Sequence, residues 1–143
     1  MLVQDAAAVR RPARIFVLED DMLNALFIED TLQFAGHEVV GPAKTIAQAL
    51  AILDHREIDA AILDLQIDEH VSFDVGRKLD ELQIPWAITT AHAPSFIVPQ
   101  FSHVDVLMKP FPVSALLALT ARLLARAEAT GPRFARKPRL GQP

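Results

Sequence analysis

The 143-residue chain contains no cysteine, so disulfide bonds, thiolate metal sites and cysteine nucleophiles are excluded. It has no apolar run near the roughly 18 residues that a membrane-spanning helix needs. Its first residues, MLVQDAAAVRRP, lack the apolar core of a signal peptide. The net charge is only −4, so no polybasic field over the whole molecule attracts nucleic acid. These absences favour a soluble cytoplasmic protein that binds neither DNA nor a membrane.

The length and the composition together predict one folded domain with two loose ends. A chain of this length can bury one core, and 51% hydrophobic residues with 22% charged residues argue against overall disorder. Residues 1–12 are expected to form a flexible arm and residues 130–143 a flexible basic tail, because arginines and a lysine stand there among proline and glycine. The folded part should therefore span residues 13–129.

Short apolar runs alternate with segments of helical periodicity along this folded part. The runs at 14–18, 37–40, 58–63, 85–89 and 104–108 are typical of strands, and helical segments lie between most of them. This alternation predicts an α/β fold, with a parallel sheet covered by helices on both faces. The segment 92–103 should hold the fourth helix, but Pro94 and Pro99 leave room for a short one at best.

Two local details are also predicted. The first helix should run from Asp21 to Ala35, with a buried face formed by apolar residues at roughly helical spacing, namely Leu23, Leu26, Phe27 and Leu32. The second strand should end at Gly41-Pro42, since this dipeptide usually marks a turn.

Polar residues follow four of the five predicted strands. In chain order these are Glu19, Asp20 and Asp21, then Asp64, then Thr90, and finally Lys109. Thr89 is the last residue of its strand, and Ala91 follows Thr90. In a parallel α/β sheet the functional groups lie outside the carboxyl ends of the strands, so these residues should meet at one edge. Crowded carboxylates recruit a hard cation such as Mg²⁺. With a lysine and a hydroxyl beside them, they suit phosphoryl transfer.

Four motifs in this order, RIFVLEDD, DAAILDL, ITTA and VLMKPF, resemble the signatures of the response-regulator receiver family. The resemblance covers residues 13–127 and implies a flavodoxin-like doubly wound sheet of five parallel strands in the order 2-1-3-4-5. It implies a receiver domain over residues 13–129 that takes a phosphoryl group from a sensor histidine kinase or a histidine phosphotransfer protein. Such a domain signals through protein contact or phosphorelay, and promotes only its own phosphorylation and dephosphorylation.

The resemblance also assigns roles to individual residues. Asp64 would be the phosphoacceptor and a Mg²⁺ ligand, with Asp20 as a direct ligand, Glu19 binding largely through water, and Gln66 contributing its backbone carbonyl. Thr90 and the N–H group of Ala91 would bind phosphoryl oxygens, and Lys109 would balance the charge. A cis peptide bond before Pro110 is expected as well.

The chain departs from the usual receiver in ways that concern signalling. The stretch IPWAITTAH resembles the PFxFATGY motif of the FAT GUY subgroup, whose members are typically single receivers with a shortened, mobile fourth helix. Most receivers carry a switch aromatic three residues before the lysine, but here Val106 stands there and the chain has no tyrosine. We therefore hypothesise that phosphorylation orders the segment 92–103.

Other interpretations remain open from the sequence. Asp21 is better explained as a helix N-cap, and Thr89 as a structural strand residue. A pseudo-receiver that binds partners without phosphorylation is one alternative. An aspartyl phosphohydrolase is another, but Gln66 stands where such enzymes carry a second acid. An exposed part of the 116–124 leucine stripe could support a homodimer.

Overall fold

The computed structural model describes residues 12–91 and 99–129, and the bounds of its elements are as follows. The strands are β1 (Arg14–Leu18), β2 (Glu38–Ala43), β3 (Ala60–Asp64), β4 (Gln66–Ile67), β5 (His70–Val71), β6 (Trp86–Thr90) and β7 (Asp105–Met108). The helices are α1 (Met22–Phe34), α2 (Ile46–His55), α3 (Phe73–Glu81) and α4 (Val113–Ala129), and a 3₁₀ turn covers Pro99–Phe101.

Five of these strands form one parallel sheet in the order β2-β1-β3-β6-β7. This confirms the predicted order 2-1-3-4-5, because β4 and β5 form a separate antiparallel hairpin and do not join the sheet. The central strands β3 and β6 are buried along their whole length. Most of their side chains are apolar, which is typical of parallel strands that are covered on both faces.

Side chains that alternate along the strands supply two hydrophobic cores, one on each face of the sheet. Phe16 and Leu18 of β1 face the core that includes buried side chains of α2 and α3. Ile15 and Val17 face the opposite core, which α1 and α4 cover. This two-sided burial gives the doubly wound architecture and leaves the edge formed by the strand ends for a site.

Helix α1 lies within the predicted range, with Asp21 and Ala35 as its capping residues, but buries a different face. Ala25, Ile28, Thr31 and Leu32 are buried, whereas Leu23 is 77% exposed and Leu26 is 50% exposed. The prediction was therefore wrong for Leu23, Leu26 and Phe27, which is 36% exposed, and is confirmed for Leu32. Apolar residues surround much of this helix, so periodicity alone did not indicate which stripe meets the sheet.

Strand β2 continues past the dipeptide that was expected to end it. The peptide bond between Gly41 and Pro42 is cis, and the strand runs on to Ala43. Gly41 has φ +100°, and a Cβ atom there would lie 2.7 Å from the Ala43 nitrogen. Since β2 is an edge strand, a proline without an N–H group costs the sheet no necessary hydrogen bond.

Several predictions fall wholly or partly on undescribed residues. The arm at 1–12, apart from Pro12, the tail at 130–143, and residues 92–98 of the expected fourth helix lie outside the described residues. The described end of that segment contains the 3₁₀ turn. Among the helices at 12–91 and 99–129, none is both long and apolar enough to cross a bilayer.

Candidate functional site

Three carboxylates meet where β1 and β3 end. Glu19 and Asp20 directly follow β1, and Asp64 is the last residue of the neighbouring strand β3. One carboxylate oxygen from each side chain lies within 4.8 Å of the other two. The topology therefore brings together the acidic residues that the sequence placed at the strand ends.

Lys109 links two of these carboxylates. Its Nζ atom lies 3.1 Å from Oε1 of Glu19 and 3.1 Å from Oδ2 of Asp64. The Lys109–Pro110 peptide bond is cis, as the resemblance implied, and the Lys109 N–H group donates to the Thr90 carbonyl at 2.7 Å. This hydrogen bond fixes the main chain of Lys109 beside the end of β6, and from there the side chain reaches the acidic cluster.

Burial and charge shift the pKa values of this pair. Burial raises the pKa of Glu19, and although the N–H group of Asp21 opposes it, the pKa reaches about 7. Repulsion from Asp64 adds to the increase and Lys109 reduces it. For Lys109, burial alone would lower the pKa, but attraction to Asp64 and Glu19 outweighs burial and raises it.

We expect Glu19 to make the metal-free protein less stable as the pH rises. Its folded-state pKa of about 7 exceeds the ordinary value of 4.5, so the folded protein binds this proton more tightly than the unfolded chain. The stabilising contribution is complete below pH 4.5 and is lost as the pH rises through about 7. Urea unfolding of wild type and Glu19→Gln is measured in EDTA between these pH values. As the pH rises, the free energy of unfolding of wild type should fall relative to that of the variant. Glu57→Gln, at an exposed carboxylate, is the control, and parallel curves for wild type and Glu19→Gln would contradict the expectation.

The residues predicted to bind phosphoryl oxygens lie at the end of β6. Thr90 is buried and pairs with Met108 of β7, while Ala91 is exposed. Thr89 pairs with Asp64, and its buried Oγ1 atom has no hydrogen-bond partner among the described residues. Thr89 and Thr90 point to opposite sheet faces because side chains alternate along a strand. Their roles stay predictions.

The hairpin β4–β5 contacts the acidic cluster in ways that the sequence did not reveal. The N–H group of Asp68, at the hairpin turn, donates to Oδ2 of Asp20 at 2.9 Å. The N–H group of Gln66 donates to Oδ1 of Asp64 at 3.3 Å. Ser72, which follows the hairpin, donates its hydroxyl to the Asp64 carbonyl at 2.8 Å. The only signal in the sequence was a serine before a helix, which indicates an ordinary N-cap.

Asp21 has the structural role that the sequence favoured. Its Oδ1 atom accepts hydrogen bonds from the N–H groups of Leu23 and Asn24, at 2.9 and 3.1 Å. A carboxylate engaged in this way caps α1 and satisfies two of the free N–H groups at its start.

The donor set at this edge fits Mg²⁺. Three carboxylates from two adjacent strands offer hard oxygen ligands, and Asp20 is partly open to solvent. Mg²⁺ typically binds through one or two carboxylates and keeps several water molecules, which suits a site with one open side.

Comparison with known proteins agrees with this geometry. The family model for the response regulator receiver domain matches residues 15–121, about three quarters of the chain. The chain belongs to the response-regulator receiver family. The motifs at the four strand ends of this receiver lie within the matched region.

Two solved structures are similar to this receiver in sequence and in fold. SdrG from Sphingomonas melonis Fr1 is 31% identical, with a TM-score of 0.69, and the match covers 83% of this chain and 98% of SdrG. PhyR from Brucella abortus is 27% identical, with a TM-score of 0.74, covering 91% of this chain and 55% of PhyR. The receiver thus matches nearly all of one protein and about half of the other.

A curated relative shows a similar partial match. The transcriptional regulatory protein PdtaR of Mycobacterium tuberculosis is 24% identical over 110 residues, which is 74% of this chain and 54% of PdtaR. The chain therefore spans about half the length of the curated relative it matches.

Proposed function

We propose that this receiver accepts a phosphoryl group on Asp64, in a Mg²⁺-dependent reaction, from the phosphohistidine of a sensor kinase or a phosphotransfer protein. The observation that carries the proposal is the set of contacts of the Asp64 carboxylate, which lies 3.1 Å from the Lys109 ammonium and within 4.8 Å of the carboxylates of Glu19 and Asp20. A carboxylate held beside a cation can attack phosphorus while its charge remains compensated.

In the proposed transfer, a bond forms between an Asp64 carboxylate oxygen and phosphorus as the phosphorus–nitrogen bond of phosphohistidine breaks. The electron pair of the broken bond stays on the imidazole nitrogen. Lys109 would neutralise negative charge on the phosphoryl oxygens as they approach, a role that the 3.1 Å distance between its Nζ atom and Oδ2 of Asp64 supports. The Thr90 hydroxyl and the Ala91 N–H group would bind two of these oxygens.

Glu19, Asp20 and Asp64, with the backbone carbonyl of Gln66, would hold the Mg²⁺ ion. When bound, the ion compensates charge on the transferred group and on the crowded carboxylates. Burial raises the pKa of Glu19 to about 7 when no metal is bound. A bound cation would favour the ionised carboxylate and lower this pKa again.

The proposed output is protein contact or onward phosphorelay in the cytoplasm, with a switch that does not use the usual aromatic. Val106 of β7 occupies that position. The likeness to the FAT GUY motif supports ordering of the 92–103 segment on phosphorylation, although residues 92–98 lie outside the described residues. Amide relaxation of that segment, with and without a phosphoryl mimic, should therefore differ; unchanged relaxation would contradict the hypothesis.

The function is tested by incubating the protein with acetyl phosphate and Mg²⁺, followed by Phos-tag gels and intact mass. Wild type should gain one phosphoryl group, and Asp64→Asn should gain none, because an amide cannot act as this nucleophile. Asp21→Asn is the matched control: asparagine also caps helices, so this variant should be phosphorylated like wild type.

A wild-type protein that stays unmodified by acetyl phosphate should be retested with a phosphorylated histidine kinase, since a small donor can fail with a competent receiver. Absence of modification with both donors would refute the phosphoacceptor function and leave a pseudo-receiver as the working interpretation.

A further inference from the structure

Ser72 stands at the position of an N-cap but does not act as one. It directly precedes α3, where a serine oxygen ordinarily accepts a hydrogen bond from an N–H group of the first helical turn. Its side chain makes no such bond, and its backbone (φ −84°, ψ 23°) is not in the extended conformation usual for an N-cap. The first turn of α3 therefore lacks the stabilising hydrogen bond that an N-cap side chain usually provides.

The Ser72 hydroxyl instead holds the residue that carries the proposed chemistry. It is 1% exposed and donates to the Asp64 backbone carbonyl at 2.8 Å. The Ser72 N–H group donates to the carbonyl of Leu65 at 2.9 Å, so two consecutive carbonyls at the end of β3 are bound by one residue. Both bonds lie away from bulk water, where hydrogen bonds orient groups most strongly.

Between these bonds the chain forms the β4–β5 hairpin, whose turn reaches the neighbouring strand end. Asp68 at the turn has φ +56°, and in this left-handed conformation its N–H group points at Oδ2 of Asp20. The segment 66–72 is therefore tied to the Asp64 backbone at its base and to the Asp20 carboxylate at its tip. A fixed base is what gives the tip a defined position.

We propose that Ser72 is a positioning residue for the phosphoacceptor site. By binding the Asp64 carbonyl, it fixes the main chain that carries the Asp64 carboxylate. Through the hairpin it also fixes the distance between Asp64 and the Asp20 carboxylate. The proposal rests on the phosphoacceptor function proposed above, and it adds a residue that does not itself touch the phosphoryl group.

The test compares wild type, Ser72→Ala, Ser72→Thr and the control Ser114→Ala, at an exposed serine of α4. Three properties of each protein are measured. They are the rate of phosphorylation by acetyl phosphate, the Mg²⁺ affinity from amide NMR shifts, and the rate of hydrogen exchange at the Leu65 and Gln66 amides. The melting temperature is recorded separately. Ser72→Ala should lower both the rate and the Mg²⁺ affinity by about tenfold, as loss of a partner that orients ligands typically does.

Threonine separates positioning from stability. It keeps the hydroxyl but adds a methyl group at a buried position, so Ser72→Thr should melt no higher than Ser72→Ala. If Ser72 positions the site, the phosphorylation rate and the Mg²⁺ affinity depend on the presence of the hydroxyl group. Ser72→Thr should then be close to wild type in both. Three outcomes would overturn the proposal. Ser72→Ala and Ser72→Thr could lose phosphorylation rate and Mg²⁺ affinity equally, the rates could follow the melting temperatures, or Ser72→Ala could match wild type.

Failure of the phosphoacceptor function gives a different pattern. Wild type would then take no phosphoryl group from either donor, whatever the Ser72 variants do. Hydrogen exchange is measured without donor or metal, so it still tests the positioning role. The role is supported if the Leu65 and Gln66 amides exchange faster in Ser72→Ala than in wild type, while Ser72→Thr exchanges like wild type. Unchanged exchange in that variant refutes it.

Discussion

Replacing Lys109 by methionine should lower the free energy of unfolding of the metal-free protein at pH 8 by about 3 kcal/mol, since removing one partner of a buried ion pair leaves an uncompensated charge. The ammonium contacts both Glu19 and Asp64, and these side chains are only 1% and 10% exposed. Methionine has similar length and keeps the packing of the lysine stem. The variant therefore isolates the loss of charge.

The pH dependence of the Lys109→Met effect provides an internal check. The raised pKa of Lys109 means that its contribution is fully present at pH 8 and is lost only when the pH rises through the folded-state value. At pH 5 the Glu19 carboxyl is largely protonated, because its pKa is about 7, so the penalty for removing the ammonium should shrink. Added Mg²⁺ should restore much of the lost stability at pH 8.

Urea unfolding at pH 8 and pH 5, with EDTA or with Mg²⁺, measures these differences. The matched control is Lys78→Met, which removes an ion pair with the exposed Asp54 and should cost below about 1 kcal/mol, as surface pairs do. A Lys109→Met protein as stable as wild type at pH 8 without metal would show that the ion pairs contribute no net stability.

Gly76→Ala should destabilise the fold by about 2–3 kcal/mol, as insertion of a methyl group into a packed core does. In α3 alanine would normally improve the helix by about 1 kcal/mol relative to glycine. Here its Cβ atom would meet the Trp86 ring, with Cζ2 only 2.6 Å away and Cζ3 at 3.1 Å. Steric overlap with a rigid ring outweighs the gain in helix propensity.

Trp86 has little room to move away. Its Nε1 atom donates to Oδ1 of Asp80 at 2.8 Å, and its ring packs edge-on against Phe101 with centroids 5.2 Å apart. Far-UV circular dichroism in urea should therefore show a lower midpoint for Gly76→Ala. Adding Trp86→Phe, which removes part of the ring, should recover some of the loss, so the double variant loses less than the sum of the single changes. Strict additivity of the two changes would show that the overlap with Trp86 is not the cause.

The same contacts show where sequence patterns stop being informative. Gly76 and Trp86 are ten positions apart, and nothing in either residue's local pattern indicates that a helix glycine makes room for an indole. Likewise, Leu23 and Leu26 fit a buried stripe as well as Ala25 and Ile28 do. Which stripe of α1 is buried depends on how the helix lies across β1, and the sheet determines that.

The sequence by itself determined the alternation of strands and helices, the parallel sheet, and the placement of Glu19, Asp20, Asp64 and Lys109 at strand ends on one edge of the sheet. It could do so because buried parallel strands are recognisable as apolar runs, and their carboxyl ends meet at one edge in any such sheet. The cis bond before Pro110 followed from the family resemblance.

Only the tertiary structure decided how these groups are held. Asp68 reaches Asp20 across 48 positions of the chain, and Ser72 reaches Asp64 across eight. Hydrogen bonds of this kind require a particular path of the loop after β3, which here folds as a hairpin with a left-handed residue at its turn. Strand ends are fixed by topology and can be inferred from periodicity, whereas loop paths depend on the three-dimensional packing of the whole domain.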